Sequence, residues 1–178
     1  MKRFYLPVIG LLLVLSLLLR FAPGHRPEPA NLPAPAPPEQ SGGVLLPALP
    51  EMVAGLPLVN FYSGEAAMRE ITRLHNSDFP LEEGLIGRYG DGTSEAVVWI
   101  SVSANTAEAD RLMELMVTKM PDSPVFREEE TFEAAGRTVY YVTGMGMDHY
   151  YWQDGIYIYW LAVDPPAGRG VTEAFFTG

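Results

Sequence analysis

The chain has no cysteine among its 178 residues. Disulfides are therefore excluded, and so is a lipid attached through an N-terminal cysteine. Any folded body must be held together by its core. Basic residues are also scarce, with 12 Lys and Arg against 22 Asp and Glu. The imbalance sharpens along the chain. All the acids except Glu28 and Glu39 lie beyond position 50, while Lys2, Arg3, Arg20 and Arg26 lie before it. That leaves 20 acids and 8 bases, a formal charge of −12, in the C-terminal part. Such a surface argues against a nucleic-acid partner and against tight binding to anionic lipid headgroups.

Signatures of catalysis are missing as well. Ser101 and Ser103 do not sit in a G-x-S-x-G elbow. The run Gly87-Arg88-Tyr89-Gly90-Asp91-Gly92 lacks the spacing of a phosphate-binding loop and suits a hairpin turn better. No carboxylates are spaced as in a calcium loop. Asp148 and His149 are adjacent on an expected strand, where neighbouring side chains face opposite ways and cannot form an acid–base pair. Nothing here calls for a cofactor, and the balance leans away from an enzyme.

Only one long apolar run exists. After Met1-Lys2-Arg3 it extends from Phe4 to Leu19 and ends at Arg20. Sixteen residues rise about 24 Å as a helix, against a hydrocarbon core of ~30 Å. Arg20 can snorkel, and Phe21-Ala22 add length. The choice is between a cleaved signal peptide and a retained signal anchor. Cleavage wants small residues around the site, and Pro23 interrupts the only candidate, Ala22-Pro23-Gly24. A transmembrane signal anchor over residues 1–21 is therefore expected, with the rest of the chain exported as a single-pass protein of the cell membrane.

Residues 22–50 hold nine of the 16 prolines. So proline-rich a linker is biased toward extended polyproline II and could reach ~90 Å. A PxxP spacing at Pro35 and Pro38 is a weak ligand signal. Beyond it, residues 51–178 have the length of one domain.

In that domain Leu58–Tyr62 reads as a strand. A helix follows over Glu65–His75, with Ala67, Met68, Ile71 and Leu74 as its apolar stripe. Leu85–Tyr89 and Glu95–Val102 read as a hairpin. Asn105, with Glu108 three residues on, starts a second helix that Pro121 stops after Met120. Strands over Val125–Phe132 and Arg137–Thr143 follow, joined at Ala135-Gly136. Gly144-Met145-Gly146 fits either a tight turn or a bulge. A short helix after Asp164-Pro165-Pro166 is a further option. The order suggests an α+β two-layer sandwich, ferredoxin-like, with a mostly antiparallel sheet and two helices on one face.

The densest aromatic stretch runs from Val139 to Val163 and contains Asp154-Gly155. A two-residue type I′ loop there would pair Trp152 with Tyr157 and Tyr150 with Tyr159. Alternation then sorts two faces. Met147, His149, Tyr151, Ile158, Trp160 and Ala162 form the expected buried face. Asp148, Tyr150, Trp152, Tyr157, Tyr159 and Leu161 form the other.

If the helices cover the first face, the second is open. Its rings could then form a contact surface for an envelope protein, a glycan or a second copy of the chain. The functional expectation is a membrane-anchored extracytoplasmic binding or interaction module acting through Asp148, Tyr150, Trp152, Tyr157 and Tyr159. The alternative is copper handling by Met145, Met147 and His149. At i, i+2 and i+4 on one strand these would point the same way, with thioether and imidazole donors suited to Cu(I). Residues two apart on a strand lie about 6.6 Å from each other, so the donors would have to converge.

Overall fold

The computed structural model describes residues 45–75 and 80–176. The expected anchor and most of the proline-rich segment lie outside the described residues. Among those described, no helix is long and apolar enough to cross a membrane.

The elements follow the order expected from the sequence, with one strand added at the start. They are β1 (Met52–Val53), β2 (Leu56–Ser63), α1 (Glu65–His75), β3 (Glu83–Gly90), β4 (Glu95–Val102) and α2 (Thr106–Lys119). After a 3-10 turn at Met120–Asp122 come β5 (Phe126–Ala134), β6 (Arg137–Gly144), β7 (Met147–Asp154) and β8 (Tyr157–Val163). A 3-10 helix, Arg169–Phe175, closes the described chain. Asn105 caps α2 as expected, its side chain accepting from the Glu108 N–H.

The ferredoxin-like sandwich is not what forms. The strands make one strongly curled eight-stranded antiparallel sheet, a half-barrel, in the order β1-β2-β3-β4-β8-β7-β6-β5. The difference lies in the connections. A ferredoxin-like fold needs crossovers between parallel strands. Here α1 joins β2 to its immediate antiparallel neighbour β3. The chain after α2 restarts at the far edge, and β5 to β8 return as a meander until β8 pairs with β4.

Turn chemistry supplies the curl. Ala54-Gly55, Ala135-Gly136 and Met145-Gly146 all have positive φ at both positions, and each joins neighbouring strands by a two-residue loop. These are type I′ turns, whose twist matches the right-handed twist of strands. Met145-Gly146 is thus a turn and not a bulge. Bulges in β2, at Leu58/Asn60, and in β5, at Glu128/Glu130, twist both edges further.

The central hairpin turns one residue later than expected, which shifts its cross-strand pairing by two. Asp154 pairs with Tyr157, Trp152 with Tyr159 and Tyr151 with Trp160. The loop is Gly155-Ile156, with φ of 60° at Gly155 only. That is the signature of type II′, which needs glycine at its first central position. A shift of two keeps every side chain on its face, so the sorting of the two faces survives the change of register.

Both faces are covered. On one, residues from all eight strands join a single cluster that runs from Leu56 and Leu58 to Phe132 and Ala134. The first and last strands can share a cluster only inside the curl, so this is the concave face. The convex face carries two separate clusters, one under α1 and one under α2. The two helices therefore do lie on one side of the sheet. The chain's own ends fill the other. Leu46 and Leu49 enter it ahead of β1, and Val171, Phe175 and Phe176 enter it from the C-terminal 3-10 helix.

Candidate functional site

The five aromatic-face residues line the concave interior. Trp152 is 0% exposed, Tyr150 2%, Tyr159 6% and Asp148 7%. Trp152 stacks on Tyr159 with ring centroids 4.8 Å apart, and Phe175 and Phe176 close over it at 5.5 and 5.4 Å. The Tyr157 hydroxyl donates to the Leu45 carbonyl at 2.8 Å. Asp148 accepts from the Tyr141 hydroxyl and from the Ala167 N–H, both at 2.9 Å, and so ties the C-terminal segment to β6 and β7. Burial, and then the Asp148 carboxylate, push the Tyr141 hydroxyl up to about 12. Of the five, Tyr157 is partly buried and the other four form the inner core, so the open aromatic face expected of them is covered. The sequence pattern alone could not reveal this, because the covering segments come from the two ends of the described chain.

His149 is 3% exposed and packs edge-on against Phe126, centroids 4.9 Å apart. Its Nε2 lies 3.0 Å from the Gly144 carbonyl, which can only accept, so Nε2 carries the proton. Nδ1 accepts from the Trp160 indole N–H at 3.2 Å. Burial depresses its pKa to about 4, against the smaller upward pulls of Gly144 and Asp148. A neutral imidazole with both nitrogens occupied is a satisfied core residue. The structure takes one of the three proposed copper donors off the strand. Met145 lies in the turn, at φ 55°, while Met147 is buried in the cluster under α1. Met147 and His149 keep their i, i+2 alignment on β7, but Met145 does not continue it.

A polar cluster that the sequence did not signal sits beneath α1. The Tyr62 hydroxyl donates to Glu70 Oε2 at 2.6 Å. Arg88 Nη2 and the Trp99 indole N–H both donate to Oε1, at 3.1 and 3.2 Å. Burial alone would raise the Glu70 carboxyl, but the Tyr62 and Trp99 hydrogen bonds and the Arg88 charge hold it below the usual range. The result is an ionised carboxylate pinning α1 to β2, β3 and β4. The available hint was Glu70 on the flank of the Ala67–Ile71–Leu74 stripe, where a side chain reaches the sheet. Among the described residues no group of three His, Cys, Asp or Glu is placed to hold a metal.

The two sheet edges differ in charge. β5 carries Arg127, Glu128, Glu129, Glu130 and Glu133 in nine residues. Its arginine pairs with Glu129 at 2.6 Å, and Arg169 reaches back to Glu130. This edge is guarded by charge and by its bulge. β2, reading Leu-Pro-Leu-Val-Asn-Phe-Tyr-Ser, has no charged residue in eight. Two-residue β1 covers only Leu56 and Pro57, and the Leu58 N–H donates to the Glu51 carbonyl. Among the described residues, three of the four exposed large hydrophobic side chains fall in this stretch: Leu45, Met52 at 54% and Val59 at 52%.

Comparison with protein-family models, with curated proteins and with solved structures finds no match to this chain.

Proposed function

We propose that this chain is a membrane-anchored, extracytoplasmic binding or interaction module. Residues 1–21 hold it in the membrane, and the proline-rich segment carries the folded body away from the bilayer. Its contact surface is the β1–β2 edge and not the aromatic hairpin. The observation that carries this is the uncharged β2 edge with exposed Met52 and Val59 on an otherwise strongly acidic body. Open backbone donors and acceptors along a strand edge are a ready template for another chain. The apolar side chains beside them add burial that a solvated edge lacks.

Two measurements test this. Full-length chain in its native membrane should resist alkaline extraction. A single cysteine placed at exposed Leu115 on α2 should react with a membrane-impermeant maleimide added to intact cells. Release by alkali removes the anchor. Labelling only after permeabilisation places the body on the cytoplasmic side and overturns the proposal.

A further inference from the structure

Leu56–Ser63, the β2 edge strand, holds no charge of either sign. Beyond the bulge at Leu58/Asn60, residues 60–63 have β3 as their only strand partner among the described residues. Phe61 belongs to the concave cluster and Tyr62 to the cluster under α1. Both side-chain faces of this stretch are therefore packed already. Its outer backbone edge stays open, with half-exposed Val59 beside it.

Around that edge the charge is of one sign. Residues 51–68 contain two acids, Glu51 and Glu65, and no base. Both acids are exposed. The Glu51 carbonyl accepts from the Leu58 N–H, which sets Glu51 beside the near end of the open stretch. Glu65 starts α1 just beyond Ser63, at the far end, and its ion pair with Arg69 is open to water. Glu173 is exposed on the 3-10 helix that packs against β1. Among the described residues neither Glu51 nor Glu173 forms an ion pair. Six of the eight basic side chains beyond position 50 are already paired with carboxylates. A second copy of the chain brings the same excess of acid and is repelled. A partner carrying positive charge is attracted.

We infer that the β2 edge binds an extended segment of another protein, apolar or β-branched in its middle and carrying lysine or arginine at its ends. The segment adds as a strand beside residues 60–63, and its backbone takes up the open donors and acceptors. Its apolar side chains cover Val59, and its basic ends lie toward Glu51 and Glu65. Attraction between exposed charges is weak, so the ends select the partner and fix its register more than they tighten binding. The inference rests on the β1–β2 edge being the contact surface.

A labelled peptide of about six residues, alternating valine and threonine with a lysine at each end, spans the open stretch at ~3.3 Å per residue. Its fluorescence anisotropy is followed against the full-length chain in an uncharged detergent. Two controls run beside it: the same peptide ending in glutamates, and the lysine-ended peptide N-methylated at every amide. The lysine-ended peptide should bind, the glutamate-ended one roughly tenfold more weakly, and the N-methylated one not at all. Binding should weaken with salt, as the screening length falls from ~30 Å at 0.01 M to ~8 Å at 0.15 M. Val59→Lys, at an exposed position, should weaken the lysine-ended peptide roughly tenfold, equivalent to ~1.4 kcal/mol. Leu115→Lys adds the same charge on exposed α2 and should change binding less than about twofold. Equal losses in the two variants, or binding that survives N-methylation, mean that the peptide merely coats an acidic surface, and overturn the inference. Equal binding of the lysine- and glutamate-ended peptides strikes the basic partner and keeps the edge as a contact surface. Failure of every peptide removes the edge and the inference with it. A concentration-dependent dimer without peptide, abolished by Val59→Lys, gives the edge to a second copy and also overturns the inference.

Discussion

Truncating Trp152 to alanine separates a core role for the hairpin aromatics from a contact role. The ring has no exposed surface and is enclosed by Tyr159, Phe175 and Phe176. A tryptophan removes up to roughly 250 Å² from water on folding, on the order of 6 kcal/mol at ~25 cal/mol/Å² as an upper bound. Truncations of large buried aromatics cost about 3–5 kcal/mol, because the cavity collapses only in part. We expect that loss here, a large fraction of the ~5–15 kcal/mol that holds a typical domain. Urea unfolding of the full-length protein, followed by near-ultraviolet circular dichroism, would show it as a lowered midpoint. The cover of the concave face would open at the same time, so the Phe175 and Phe176 contacts should loosen before the helices melt. A loss below ~1 kcal/mol would refute the argument. It would mean that the C-terminal segment does not lie on Trp152 in solution and that the aromatic face is accessible.

Three further outcomes follow from the same packing. His149 has a folded pKa of about 4 against ~6.5 in the unfolded chain. The unfolded state therefore binds the extra proton first, and the stability that neutral His149 supplies is complete above pH 6.5 and lost as pH falls through 4. About 2 kcal/mol should be gone by pH 5, and His149→Phe should flatten the urea midpoint between pH 7 and 5. Gly144→Ala would set a Cβ 2.4 Å from a Phe126 ring carbon and 2.8 Å from the Val125 carbonyl. The expected cost is ~1–3 kcal/mol, read as a fall in melting temperature, and an unchanged melting temperature would contradict the β5–β6 spacing. Glu70→Gln removes a charged acceptor shared by Tyr62, Arg88 and Trp99. It should cost ~1–3 kcal/mol and shift the near-ultraviolet signal of Trp99, and wild-type stability would show that the cluster does not pin α1.

Several elements were legible because their signals are local. The helix at Glu65–His75 follows from an apolar stripe at helical spacing, and α2 begins where Asn105 can cap it. Ala135-Gly136 reads directly as a turn. The hairpin register did not follow, because Asp154-Gly155 and Gly155-Ile156 are both acceptable two-residue loops. The choice falls to Trp152 stacking on Tyr159 and Tyr151 on Trp160. β1 escaped notice because two residues carry no period. The Glu70 cluster escaped because its members, Tyr62, Glu70, Arg88 and Trp99, come from four separate elements.

The sequence by itself determined the chemistry of the chain: no disulfides, a strongly acidic C-terminal part, and the alternation that sorts the β7–β8 side chains onto two faces. Alternation is a property of the strand alone, so it survived both the change of register and the change of fold. Only the tertiary structure decided which face meets water. That depends on how far the sheet curls, and on Leu46, Leu49, Phe175 and Phe176 returning from the ends of the described chain to fill the concave side. Covering a sheet face is a long-range event whose free energy comes from total buried area and not from any local pattern. Among the described residues, the same closure buries Trp152, Tyr150 and Tyr159 and leaves Met52 and Val59 exposed at the β1–β2 edge.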